Sequence, residues 1–172
     1  ALKDTEIKLL DDADVEVPDG ERGELVCRGP QVMQGYYKRP EATMAAFTKD
    51  GFFRTGDIAI RDGEGRYKIV DRKKDMVIVS GFNVYPNDVE QAASKCPGVQ
   101  ECACIGIKDD KTGEAVKLFV VPSAGSELTE EDIISFCRAH LTAYKVPKQI
   151  AFIDEVPKSA VGKVLRRQLR SH

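Results

Sequence analysis

Five consecutive charged residues, Asp71-Arg72-Lys73-Lys74-Asp75, divide this sequence into two parts with different hydrophobic rhythms. Ahead of them the apolar runs are short and separated by turn-forming residues, the pattern of strands and hairpins. Strands are predicted at Glu6–Leu10, Val15–Val17, Gly23–Arg28 and Tyr67–Val70. The segment Pro18-Asp19-Gly20-Glu21 supplies turn chemistry, since proline presets φ and glycine allows it to be positive. Pro40 opens a short helix that runs to Phe47, and Phe52-Phe53 and Ile58–Ile60 flank a turn at Thr55-Gly56-Asp57. After the charged run, helices enter. A hairpin is predicted from Met76–Val79 and Phe82–Tyr85 about Ser80-Gly81. A helix follows over Pro86–Lys95, with Val89, Ala92 and Ala93 on its apolar face and Pro97-Gly98 stopping it. Strands at Val99–Ile107, Val116–Val121 and Ile150–Ile153 alternate with a helix from Thr129 to His140 and a basic terminal helix over Val164–Arg170. The acidic first turn after Thr129 suits the helix dipole. The predicted class is α+β: a β-rich unit over about the first 70 residues, read as the end of a barrel, then an open α+β sandwich over residues 76–172. Each unit is small, so each has a limited core.

Charge excludes some functions. The 26 basic and 28 acidic residues nearly cancel, so the chain as a whole has no attraction for nucleic acid or an anionic membrane. The balance hides an asymmetry. Residues 1–24 carry nine acids against three bases, whereas residues 157–172 carry Lys158, Lys163, Arg166, Arg167 and Arg170 and no acid. No window reaches the roughly 18 apolar residues of a membrane span, and the first residues do not read as a signal peptide. The chain begins at Ala1 without an initiator methionine, which suggests a piece of a longer protein. Cysteines at 27, 96, 102, 104 and 137, with no CxxC pair and only two histidines, predict reduced, mostly buried thiols rather than a metal site. That usage fits the cytoplasm.

Five short segments offer chemistry, each with a plainer alternative. Asp57 after Gly56 presents two carboxylate oxygens suited to a vicinal diol such as that of a ribose, or it makes an ordinary Asx turn. Arg72, in the charged run, is placed to hydrogen-bond a nucleotide sugar or phosphate, while Lys74 marks a backbone turn; the plainer reading of such a run is a solvated face or linker. Gly81 either serves the hairpin turn or lets a ligand pass close along the backbone. In Pro157-Lys158-Ser159-Ala160-Val161-Gly162-Lys163 a loop lysine is set to swing onto a phosphate or carboxylate, or belongs to a solvated tail. It is not a P-loop, because no strand with the required glycine spacing precedes it. Lys145, in Tyr144-Lys145-Val146-Pro147, reads as an exposed loop lysine within reach of a phosphate.

The order of these pieces is more specific than any one of them. The stretches Gly29–Tyr37, Gly51–Asp57, Ile69–Asp75, Ser80–Pro86, Tyr144–Pro147 and Lys158–Lys163 resemble, in sequence and order, the motifs of the adenylate-forming (acyl-CoA synthetase/luciferase-like) superfamily, nearest the bacterial long-chain fatty-acid–CoA ligases. The resemblance covers nearly the whole chain. It implies a C-terminal piece of such an enzyme: part of the last β-barrel subdomain of the large domain over residues 1–73, plus the complete mobile small domain over residues 74–172. Family members join a carboxylate to ATP as an acyl-adenylate, releasing pyrophosphate, and then pass the acyl group to CoA, releasing AMP. By resemblance, Asp57 and Arg72 contact the ribose, Lys163 bridges carboxylate and phosphate, Gly81 lies beside the pantetheine path, Lys145 contacts CoA and Lys74 is the hinge. Fatty acid, ATP and CoA are the implied substrates, with Mg2+ held by residues outside this stretch. The resemblance also admits peripheral contact of the parent with the inner membrane face. Two rivals remain: a stand-alone nucleotide- or CoA-binding module, and a ligase for an aryl or medium-chain acid.

Overall fold

A computed structural model describes residues 2–171, and the chain divides into the units Ala1–Lys74 and Asp75–His172. The first unit contains β1 (Glu6–Leu10), β2 (Arg22–Arg28), the short helix α1 (Pro40–Ala45), β3 (Phe53–Arg61) and β4 (Tyr67–Arg72). The four strands form one antiparallel sheet in the order β1-β2-β3-β4. Successive strand residues face opposite sides. Leu9 accordingly joins Val17 and Ala59 in one apolar cluster, and Leu10 joins Val26 and Phe52 in another.

Two local expectations change. Residues 15–17 form no strand, only an isolated bridge between Leu10 and Glu16. The cause is Asp11, whose Oδ1 accepts the backbone N–H groups of Ala13 and Val15 at 2.8 and 2.9 Å and bends the chain into an Asx turn. Thr55-Gly56-Asp57 is not a turn between two elements either, because β3 runs through it. Opposite Glu24 and Val26 lie Ile58 and Arg54, so three residues of β3 face Leu25 alone. This is a β-bulge with more than one inserted residue. Gly56 takes the positive φ of 71° that the bulge requires, a conformation that costs other L-residues about 1–2 kcal/mol. Thr55 closes it: its hydroxyl donates to the Leu25 carbonyl at 2.7 Å and accepts the Asp57 N–H at 3.1 Å.

The second unit contains β5 (Val77–Val79), β6 (Phe82–Val84), α2 (Pro86–Ala93), β7 (Val99–Asp109), β8 (Gly113–Pro122), α3 (Glu130–His140), β9 (Gln149–Phe152) and the single turn α4 (Arg166–Leu169). The sheet order is β6-β5-β8-β7, with β9 parallel to β8. Val89 and Ala93 of α2 and Ile133 and Cys137 of α3 cover one face, against Cys104, Leu118 and Val120. On the other face Phe119, Val121, Ala103 and Ile105 pack with Val156 and Leu169. A strand covered on both sides has no polar face to alternate with, which is why Leu118–Val121 is continuously apolar. The terminal helix is shorter than Val164–Arg170 because Val164 bridges back to Lys158, and the Leu165 N–H goes to the Pro157 carbonyl at 2.8 Å. All five cysteines are free, and Cys96, Cys104 and Cys137 are buried. Among the described residues no helix is long and apolar enough to cross a membrane.

Candidate functional site

Each unit carries its own set of chemically suited residues. In the first unit, the β3–β4 register places Asp57 opposite Arg72. Arg72 Nε lies 2.7 Å from Asp57 Oδ1, and both side chains are partly open to solvent. The β3–β4 register shifts between Ile58 and Ala59, whose partners are Asp71 and Ile69, and this one extra residue of β4 sets Asp57 opposite Arg72. Neither side chain has another partner among the described residues. A carboxylate and a guanidinium held side by side offer acceptors and donors to the two hydroxyls of a diol.

Close by, Glu24 is buried, at 4% exposure, and its Oε2 is met by Arg54 at 3.0 Å and Lys73 at 3.1 Å. Lys73 also reaches Asp12 at 3.1 Å. Burial works against the Lys73 charge, but its bonds to Glu24 and Asp12 outweigh this and raise its pKa above the ordinary lysine value. Lys74 follows, exposed, inside a 3-10 turn formed by Lys73–Asp75.

In the second unit, Lys163 sits on a tight hairpin. The Ser159 N–H donates to the Lys163 carbonyl at 2.8 Å, the Lys163 N–H to Ser159 Oγ at 3.1 Å, and the Gly162 N–H to the Ser159 carbonyl at 2.8 Å. The backbone of Lys163 is therefore fixed while its side chain is exposed, with no ion-pair partner among the described residues. A lysine so placed offers a cation to an incoming anion without first breaking a salt bridge.

Ser80 and Gly81 form the two-residue turn of the β5–β6 hairpin, with φ of 50° and 82°. Positive φ at both central residues is the turn that matches strand twist. Space above Gly81 is open, with no atom within 4 Å of where a Cβ would lie. Beside this turn the Phe82 ring stacks on Tyr144, with centroids 4.7 Å apart and planes at 17°. An open cleft of about 620 Å³ adjoins Ser80 and Tyr144, with Val79, Val116 and Ile134 in its lining and Arg138 and Lys148 as cations. Lys148 pairs with Asp109, whose carboxyl is held below the usual range first by Lys148 and then by Thr112.

Lys145 differs from the expectation of an exposed loop lysine. Its Nζ lies 2.8 Å from Asp88 Oδ2, and both side chains are largely covered. The pair joins positions 57 residues apart, so no local pattern marks it. Other polar pairs went unread for the same reason: Glu24 with Lys73, Glu90 with Arg166, and Asp75 with Arg170 at 3.1 Å. Acidic residues inside otherwise apolar stretches, such as Glu24 in β2, are the only hint the sequence gives. Among the described residues, no three His, Cys, Asp or Glu side chains group as a metal ion would need.

Models for AMP-binding enzymes match this chain twice: the enzyme model over residues 1–37, and the C-terminal domain model over residues 88–163, together more than half of the sequence. The chain belongs to the AMP-binding enzyme family, and its fold is that of the C-terminal region of adenylate-forming enzymes. Its similarity to individual members is high. It is 58% identical to a long-chain-fatty-acid–CoA ligase of Escherichia coli over 96% of this chain and 29% of that protein. It is 44% identical to a feruloyl-CoA synthase of Amycolatopsis over 96% of this chain and 34% of that one. Among solved structures, ATP-bound MatB from Rhodopseudomonas palustris matches with a TM-score of 0.92 and 37% identity over 99% of this chain and 34% of that chain. The chain thus spans under a third of the length of the curated long-chain ligases it matches.

Proposed function

We propose that this chain is the C-terminal part of an acid–thiol ligase that activates a long-chain fatty acid with ATP and transfers it to CoA. In the first step a carboxylate oxygen attacks the α-phosphorus and pyrophosphate leaves. In the second the CoA sulfur attacks the acyl carbon and AMP leaves. Residues 1–73 belong to the last subdomain of the large domain, and residues 74–172 form the mobile C-terminal domain, turning at Lys74 between the steps. The observation that carries this reading is Lys163, an exposed ammonium without an ion-pair partner among the described residues, on a hairpin whose backbone is fixed. Negative charge builds on non-bridging oxygens as the adenylate forms, and a positioned cation stabilises it.

The other residues take supporting roles in the same reading. Asp57 and Arg72 receive the ribose diol. Gly81 leaves room for the pantetheine arm, and the apolar cleft next to Ser80, with Arg138 and Lys148 on it, suits the mixed apolar and phosphate character of CoA. Lys145, tied to Asp88, contributes by shaping this surface or by exchanging Asp88 for a CoA phosphate. Mg2+ would be held by residues of the parent outside this stretch, where it would neutralise phosphate charge. The reaction runs in the cytoplasm, where ATP and CoA are available, with the acid drawn from the inner membrane face.

The test is Lys163→Ala in the full-length parent, with the two half-reactions assayed separately. Adenylation, read by ATP–pyrophosphate exchange, is expected to fall roughly 10²–10³-fold, the value of one transition-state donor in a closed site. Thioester formation from supplied acyl-adenylate is expected to persist. An equal fall in both would make Lys163 a folding or general binding residue. An aryl acid is the second reading, favoured by the feruloyl-CoA synthase similarity. Relative kcat/KM of the parent for long-chain, medium-chain and hydroxycinnamic acids separates the two.

A further inference from the structure

The segment bearing Lys163 is tied to its own unit on both sides, and the two ties differ in kind. Before the hairpin, Lys158 meets Glu101 at 2.5 Å, with both side chains substantially exposed. Pairs of that sort are worth little. After it, Arg166 is only 14% exposed and Glu90 17%. Arg166 Nη2 donates to both Glu90 oxygens, at 2.8 and 2.9 Å, and to Asn87 Oδ1 at 3.1 Å. Its Nε donates to the Cys104 carbonyl at 3.2 Å. Glu90 Oε1 in turn accepts the Cys104 N–H at 2.7 Å.

Cys104 lies on β7, which ends the sheet order and so has a free edge. An edge strand leaves backbone donors and acceptors without a neighbouring strand. Here the carboxylate takes the N–H and the guanidinium takes the carbonyl of the same residue, so the Glu90–Arg166 pair pairs with the edge as a strand would. The outcome is a clasp joining α2, the edge of β7 and the residue three places after Lys163. Each member satisfies the others, which is the condition under which a half-buried ion pair holds a geometry rather than merely costing desolvation.

We infer that Glu90 and Arg166 are positioning residues for Lys163. The clasp fixes the C-terminal stem of the hairpin, and the exposed tip then presents the ammonium in one place. This rests on the reading of Lys163 as the adenylation cation. The geometry matters because misplacement of a catalytic group by about 1 Å costs on the order of 10²-fold in rate. Glu90→Gln keeps an acceptor for the Cys104 N–H but discharges the partner of Arg166.

The experiment uses the full-length parent with Glu90→Gln, Lys163→Ala and both together. The expected result for Glu90→Gln is a roughly 10- to 100-fold lower kcat for ATP–pyrophosphate exchange, with KM for ATP and thioester formation from supplied acyl-adenylate changed by less than about twofold. In the Lys163→Ala background Glu90→Gln is expected to cost nothing further, since residues acting through one another are not additive. No loss of exchange, an equal loss in both half-reactions, or the same loss with Lys163 already removed would each overturn the inference. Arg166→Lys keeps the charge but loses the planar fork. It is expected to give the same pattern, and it decides the question by the same criteria if Glu90→Gln does not fold. If Lys163→Ala alone leaves exchange intact, the reading of Lys163 falls and the inference with it. If Lys163→Ala abolishes exchange and Glu90→Gln does not weaken it, only the inference falls.

Discussion

Cys102 and Cys137 show how far a single residue's setting departs from its chemistry in water. Both pack on the sheet face that α2 and α3 cover. Burial first, and then the Glu90 charge, push the Cys102 thiol up to about 12; burial pushes Cys137 up to about 11. An unfolded thiol ionises near 8.5 (about). Between those values the unfolded chain has released protons that the native chain still holds, so stability falls as pH rises. The contribution is fully present below the unfolded pKa and is lost progressively up to the folded values. Urea midpoints measured from pH 7 to 11 are therefore expected to decline on the alkaline side, and less steeply in Cys137→Ala. Iodoacetamide at pH 8 is expected to leave Cys102 and Cys137 unmodified in the native chain and to label both in urea, since the thiolate is the reactive form. Native labelling of either, read by mass spectrometry, would show that the thiol is not held neutral by burial. Spacing by two puts Cys102 and Cys104 on one face of a strand, but nothing local in the sequence puts the Cys102 sulfur 3.5 Å from the Glu90 carbonyl, a contact made by packing alone.

At the scale of elements, α3 has the best-defined boundary. The Thr129 hydroxyl accepts the Asp132 N–H at 3.2 Å, and an Asp132 oxygen accepts the Thr129 N–H at 3.0 Å. This reciprocal box satisfies two of the N–H groups that a helix start leaves free. Thr129→Ala is expected to lower unfolding free energy by about 1 kcal/mol. The bonds from the Thr129 side chain and backbone hold the Asp132 carboxyl below its ordinary pKa. A lowered carboxyl contributes stability above its unfolded pKa and loses it as pH falls through the folded value, so the cost of Thr129→Ala is expected to shrink in acid. Urea unfolding at pH 7 and pH 3 checks both; a cost independent of pH would separate the cap from the carboxylate. The start of this helix was legible because its signal is local, an acidic turn behind a threonine. The Asp57–Arg72 pair was not legible as a pair. Both residues stood out, but their juxtaposition depends on the register of β3 against β4, which shifts between Ile58 and Ala59. Gly81 was legible as a turn residue, since Ser-Gly between two apolar runs specifies it. The burial of Lys145 was not, because Asp88 comes from another element.

At the scale of the whole chain, ion pairs hold the residues on either side of Lys74, each within its own unit. Lys73 is held by Glu24 and Asp12 of the first unit. Asp75, only 11% exposed at its side chain, is held by Arg170 of the second. Lys74 stands between them, exposed and with no ion pair of its own among the described residues. A hinge needs a residue whose dihedrals change while its neighbours stay anchored to their own bodies, and the anchoring of Lys73 and Asp75 supports the proposal that Lys74 is that residue. Proline fixes φ near −65° and removes the amide donor. It also biases the preceding residue toward extended backbone, so thermal unfolding of the variant must be measured beside its activity. In the full-length parent, Lys74→Pro is expected to release pyrophosphate on the first turnover and to lose acyl-CoA production. Lys74→Ala, which leaves φ free, is expected to retain both steps. Rapid-quench measurement of pyrophosphate and acyl-CoA from the same reaction distinguishes the outcomes. A folded Lys74→Pro enzyme that makes acyl-CoA at the normal rate would place the pivot at another residue, and the pairs flanking Lys74 would then serve stability alone.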